Sequence, residues 1–212
     1  MKWEEKWKEK EALVYEAAFK LYVEHKIENV SVANIADHTD YGVATLFRHY
    51  NTKLELAAKT VAYMWSKYLA KVFEGRTPEY LKDVPAIERL SFTYDIYIDL
   101  YKNHKDLLRV NDNFNHFYHD NKNAETILEY ADAFNGLSDR FHDMYERAKI
   151  DGTMRTDIPE DELQRVLLHT MMGACIHYLG GFTFGGNDDQ DYTGELIRLK
   201  EILISYAKGI II

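Results

Sequence analysis

Nine histidines and one cysteine are the side chains of this 212-residue chain best suited to metal or nucleophilic chemistry. His116 and His119 stand three residues apart, so on a helix they share a face and offer two nitrogens to one ion. His142, His169 and His177 follow further on. Neither a cysteine set nor a nearby Asp/Glu–His pattern strengthens a metal site here, so no metal and no cofactor is expected. These rings read instead as packed side chains or hydrogen-bonding groups for a ligand. Cys175 sits in an apolar helical run. A single cysteine excludes an internal disulfide and fits a Cys-based zinc site poorly; Cys175 reads as a small core residue. No paired carboxylates, nucleophile–base pair or glycine-rich phosphate loop stands at a usable spacing. The chain is therefore not expected to be an enzyme.

The elements suggest binding instead. Only three prolines and 11 glycines interrupt a sequence rich in helix formers, which predicts an all-α protein. The first helix is predicted from Trp3 to His25, with Leu13, Ala17 and Leu21 beside Val14, Ala18 and Tyr22 on an apolar stripe. Ser31 can cap a second helix, whose inner face holds Val32, Ile35 and Ala36. Thr39-Asp-Tyr-Gly42 makes a turn, and a third helix presents Leu46 and Tyr50 at an i,i+4 spacing. Thr52 and Glu55 fit a capping box for a fourth helix. Residues 31–53 thus have about the size of a helix-turn-helix, a pair that can present one helix to the DNA major groove.

These segments, taken together, resemble the TetR family of bacterial one-component regulators. The resemblance rests on Ala17-Ala-Phe-Lys-Leu-Tyr22, Val30-Ser-Val-Ala-Asn-Ile-Ala36, Thr45-Leu-Phe-Arg-His-Tyr50 and Thr52-Lys53-Leu-Glu55. It implies that the Ser31 and Thr45 hydroxyls and the Lys53 ammonium meet DNA phosphates. It implies that Tyr50 packs under the recognition helix, that the His49 ring faces the DNA backbone, and that Tyr41, Gly42, Val43, Thr45 and Arg48 lie in or beside the groove. Phosphate contacts position such a protein, and contacts to base edges specify sequence. Arg48 is the residue suited to a bidentate guanine contact. The chain departs from the family pattern at Lys26, where a helix-ending glycine is usual, and at Asp40, where the turn commonly has glycine. At Asp40 a left-handed conformation is tolerated better than at most residues. Gly42 replaces the usual capping hydroxyl.

The resemblance divides the chain into a helix-turn-helix DNA-binding domain over 1–54 and a helical ligand-binding and dimerisation domain over 55–212. The first part carries eight Lys/Arg against nine Asp/Glu, so most of the net charge of −9 lies in the second. In that second part a helix is predicted from Lys53 to about Gly75, another after Pro85, and a turn at Asn103-His-Lys. Residues 111–123, polar and aromatic together, read as a loop over a pocket. Further helices are predicted over 124–149, from Ile158-Pro through Tyr178, and over 193–208, with a loop at Phe182-Thr-Phe184. Tyr97, Tyr101, Phe114, Phe117, Phe141, Tyr145 and Met171 are the candidate walls of a small-molecule pocket. The last two long helices are the candidate homodimer interface. No run approaches a membrane span, and the charged first ten residues lack a signal core, so the protein is expected in the cytoplasm. The expected function is a DNA-binding transcriptional regulator, a repressor released from a palindromic operator by a small-molecule effector. The alternative is a helical dimer of the same type that binds a ligand or partner protein and has lost sequence-specific DNA binding.

Overall fold

The computed structural model describes residues 2–121, 139–180 and 190–209. Among the described residues every regular element is helical and none is a strand. In chain order they are α1 (Lys2–His25), a 3₁₀ turn η1 (Ile27–Asn29), α2 (Val32–Asp37), α3 (Val43–His49), α4 (Lys53–Val72), α5 (Pro78–Leu81), α6 (Ala86–Asn103) and α7 (Lys105–Asn121). Then follow α8 over 139–151, α9 (Glu160–Gln164), a π-helical turn (Arg165–His169), α10 (Thr170–Leu179) and α11 (Thr193–Ala207). No described helix is long and apolar enough to cross a membrane.

Packing divides the chain into two units, Met1–Lys71 with Asp106–Asn135 and Val72–Lys105 with Gly136–Ile212. The expected boundary after residue 54 thus falls inside the first packing unit.

In the first unit, Val14, Ala18, Leu21 and Tyr22 of α1 are buried, as are Ile27, Val30, Ile35, Ala36, Leu46 and Tyr50. Helices this short bury too little individually, so they share this one core. The predicted stripe on α1 holds only in part: Leu13 is exposed, and the buried line runs through Val14, Ala18 and Leu21. On α4 the largest buried side chain is Trp65, whose indole N–H donates to Asn111 Oδ1 at 2.9 Å.

Asn111 belongs to α7, and here the expectation of a loop over 111–123 is overturned as far as Asn121. The polar composition looks like a loop because Asn and Asp favour turns in isolation. Leu107, Leu108, Val110 and Phe114 nevertheless bury one face, Asn111 finds its buried partner in Trp65, and His116 and His119 point outward. Tertiary packing overrides propensity over these turns.

In the second unit, α10 and α11 both pack on α6. Leu90, Tyr94, Leu100 and Tyr101 of α6 are buried, with Met171, Cys175, Leu196 and Leu203 of the two later helices. Pro85 precedes α6 and offers no side-chain cap; the Ala86 N–H donates instead to Asp151 Oδ2 at 2.9 Å, across 65 residues. Asp151 also accepts from the Thr153 N–H. Gly152, with φ of +65°, ends α8 where the sequence placed a stop. The 124–138 part of the helix predicted over 124–149 and the loop at Phe182-Thr-Phe184 lie outside the described residues.

Candidate nucleic-acid interface

The helix pair α2–α3 is set at its entry by Ser31. Its backbone is extended, its hydroxyl accepts the Asn34 N–H at 3.1 Å, and the Asn34 side chain accepts the Ser31 N–H at 2.8 Å. This reciprocal pair satisfies two donors that a helix start leaves open. The turn after α2 is held by Thr39, whose hydroxyl donates to the Ala36 carbonyl and accepts from the Tyr41 N–H. Asp40 needs no left-handed backbone: among the described residues Lys26, at φ of +64°, is the only non-glycine with positive φ. Gly42 then starts α3 without a side-chain cap, its carbonyl accepting the Thr45 N–H at 2.9 Å.

Helix α3 turns Leu46 inward, against the same core as Tyr50. Its outer face carries Val43, Ala44, Phe47 and Arg48, which are exposed and fall one helical turn apart in pairs. Thr45 is half-buried beside them. Phe47, 51% exposed, was not among the predicted contact residues. Its position one turn after Val43 was the available signal. The face is apolar with one guanidinium, so it offers Arg48 for hydrogen bonds and Val43 and Phe47 for apolar contact such as that with a thymine methyl.

Two predicted contact residues face elsewhere. The His49 ring stacks on Trp7 of α1, with centroids 3.5 Å apart and planes 7° from parallel. Burial, then the adjacent Arg48 charge, hold its pKa below the ordinary histidine value. Trp7 also meets the edge of Tyr41 at 5.3 Å, and Lys10 lies over that ring. Sequence reasoning missed Trp7, which joins α1 to both the turn and α3. Lys53 stands at the first position of α4, and its Nζ donates to the Glu28 carbonyl at 2.8 Å. The ammonium also lies 5.2 Å from the centre of the Phe117 ring. Burial draws its pKa below the ordinary lysine value, with Glu28 pulling the other way. Beneath α3, Glu11 gathers the hydroxyls of Tyr15 and Tyr50 at 2.7 and 3.4 Å. The Thr52 hydroxyl accepts the Glu55 N–H, while the Glu55 carboxylate accepts the N–H of Asn51, so the predicted box closes one residue early.

The candidate pocket residues do not form one group. Phe114 and Phe117 belong to the first unit, and Tyr97, Tyr101, Phe141, Tyr145 and Met171 to the second. Several are tied into the core: the Tyr101 hydroxyl accepts the Tyr192 N–H, and the Tyr145 hydroxyl donates toward the Ile158 carbonyl at 2.7 Å. Tyr94 is different. It is fully buried on α6, and its hydroxyl has no hydrogen-bond partner among the described residues. Burial pushes its pKa upward, so the group stays neutral.

Cys175 is buried, and that burial pushes its thiol up to about 12, far from a thiolate nucleophile at neutral pH. His116, His119, His142, His169 and His177 are exposed rather than packed. Among the described residues one acid–histidine cluster brings three ligand atoms within 4.8 Å, at His142, Glu146 and Glu160. The i,i+4 pair in it, His142 with Glu146, was passed over in the sequence, and Glu160 comes from α9, 18 residues on. His142 Nδ1 lies 3.1 Å from both Glu160 oxygens, as an ion pair does.

Residues 7–60 match the model of the tetR family of bacterial regulatory proteins. No curated protein matches the chain. Solved structures match it over nearly its whole length at low identity. The transcriptional regulator FadR from Bacillus subtilis, solved in complex with stearoyl-CoA, has a TM-score of 0.69 at 14% identity, covering 94% of this chain and 98% of its own. A tetR-family regulatory protein from Rhodococcus RHA1 gives 0.64 at 17%, covering 93% and 96%. GusR from Salmonella enterica gives 0.66 at 15%, covering 95% and 94%. The N-terminal segment thus carries the tetR-family match, and the whole chain shares the fold of solved regulators of that type.

Proposed function

We propose that this regulator is a homodimeric repressor that binds a palindromic operator and leaves it when a small effector binds. The observation that carries the reading is the exposed outer face of α3, held by Ser31 at one flank and Lys53 at the other, within the segment that matches the family. Each subunit inserts α3 into a major groove, with half-sites about 34–36 Å apart or a multiple of that. Ser31, Thr45 and Lys53 contact phosphate, and Arg48, Val43 and Phe47 face the bases. Tyr41 and Gly42 shape the leading edge of α3, and His49 braces it through Trp7. Such a protein acts where the DNA is, in the cytoplasm.

The dimer forms through α9–α10 and α11. Val166, Ile197 and Ile202 support this, since they expose 40%, 45% and 53% of their surface on those helices. The effector lies in the second unit, against Tyr94, Tyr97 and Tyr101, where an acceptor on the ligand satisfies the Tyr94 hydroxyl. A buried hydroxyl without a partner is costly, and such groups fix ligand orientation in apolar sites. The ligand shifts the dimer only by its differential affinity for the bound and released states. A dimer without sequence-specific DNA binding is not favoured, given the family match.

A mobility shift with the intergenic DNA flanking the gene tests the reading. Retardation that falls steeply with salt is expected; a folded dimer that leaves this DNA unretarded at low salt overturns it. Lys53→Ala should weaken binding to every sequence and flatten the salt slope by about one unit.

A further inference from the structure

Two residues of α7 meet the DNA-binding head directly. Asn113 and Phe117 stand one turn apart on that helix. The Asn113 amide accepts the Ile27 N–H at 2.8 Å and donates to the Glu28 carboxylate at 2.8 Å, so it grips the backbone of η1 and one of its side chains. The Glu28 carbonyl, in the same turn, accepts the Lys53 ammonium, and the Phe117 ring lies beneath the same ammonium. The Glu28 carboxylate adds its attraction. A carbonyl oxygen, a carboxylate and an aromatic face are the three kinds of partner that hold a cation, and all three here belong to the protein itself. Phe117 was assigned to a ligand wall from sequence; its ring is turned to the head instead.

We propose that α7 is a latch on the DNA-binding head: Asn113 fixes η1 so that Glu28 and Phe117 hold Lys53 away from phosphate, and DNA must draw Lys53 out of that cradle. The proposal rests on the DNA-binding reading above and adds its regulation. The operator affinity then depends on how firmly α7 grips η1. A displacement of α7 by less than a hydrogen-bond length is enough to alter it, because the grip is made of contacts at 2.8 Å. Asn113 is a positioning residue: it acts on the phosphate-binding cation through Glu28 and touches no nucleic acid.

The test is fluorescence anisotropy of a labelled duplex from the flanking intergenic DNA, titrated at several salt concentrations. The proteins are the wild type, Asn113→Ala, Phe117→Leu, Lys53→Ala, and each α7 variant combined with Lys53→Ala. Both α7 variants should bind about two- to fivefold more tightly at a given salt, the worth of one exposed cation–π contact. Their salt slopes should equal that of the wild type, because Lys53 reaches phosphate in every complex. The gain should vanish in the Lys53→Ala background, as a coupled pair requires. Damage to the fold weakens binding and cannot produce this gain, and Phe117→Leu keeps an apolar side chain in place should Asn113→Ala unfold. Affinity that is unchanged or weaker in both folded α7 variants overturns the latch alone. A gain that persists without Lys53 overturns it too. Absence of DNA binding by all the proteins overturns the DNA-binding reading and the latch with it.

Discussion

Lys26 offers a test in which the sign of the effect is set by backbone geometry. It lies between α1 and η1 with φ of +64° and ψ of 155°. That region is open to glycine and crowded for any residue with a Cβ, at a cost of about 1–3 kcal/mol. The Lys26 side chain is exposed, so little packing is lost with it. Its attraction to Glu28 acts at the surface and contributes at most a fraction of a kcal/mol. Lys26→Gly therefore removes the strain. Against this stands the greater freedom of glycine in the unfolded chain, about 0.4–1 kcal/mol. The net expectation is a stabilisation of about 1 kcal/mol, which for a chain of this length raises Tm by about 2–4 °C. Lys26→Ala is the control, since it removes the same charge and keeps the Cβ. Thermal unfolding followed by circular dichroism reads both. A lysine-to-glycine variant that melts with or below the wild type refutes the reasoning. So does an alanine variant that gains as much as glycine, because strain relief requires loss of the Cβ.

Three further outcomes are expected. Gly42→Ser adds a hydroxyl where α3 begins with an uncapped N-terminus; a Cβ there meets nothing within 4 Å, so the melting temperature should rise slightly, by a few tenths of a kcal/mol in stability, and a fall would show the cap geometry to be wrong. Asn111→Ala removes the buried acceptor of the Trp65 indole and should cost about 1–3 kcal/mol; an unchanged Tm refutes the importance of that bond. His142 is held above its ordinary pKa of 6.5 by the hydrogen bond and charge of Glu160, so its contribution to stability is complete below 6.5 and fades as pH rises through the raised value. An NMR titration should place the His142 pKa above that of the Glu160→Gln variant, and coincident titrations would remove the pair as the cause.

The parts of this fold that were legible in sequence are those settled by neighbours along the chain. Ser31, Pro85, Pro159 and Gly152 mark helix ends through bonds or dihedral limits that span a few residues. Leu46 and Tyr50 reveal the inner face of α3 by their spacing alone. What could not be read depends on partners far away in sequence. Residues 111–121 look like a loop until Trp65, 46 residues earlier, supplies Asn111 with a donor. His49 reads as a DNA contact until Trp7 covers it. Lys53 reads as a free cation until Glu28 and Phe117 are brought to it. The candidate pocket residues share aromatic character, which composition reveals, but not location, which only packing decides.

The π-helical turn at Arg165–His169 has a consequence for which changes this helix can absorb. Each residue of an α-helix advances by about 100°, and a π turn accommodates one residue more than the ordinary ladder. The four-residue spacing of Leu163, Leu167, Met171 and Cys175, all buried, runs straight through it. Replacing any one residue leaves this phase intact. Deleting a single residue between 165 and 169 would remove that extra residue, restore a uniform ladder and leave the Cys175 sulfur at the Tyr97 carbonyl that it meets at 3.6 Å, whereas the same deletion within the regular turns of α10 would rotate all that follows by about 100°. Along this stretch the chain can lose a residue without losing its phase.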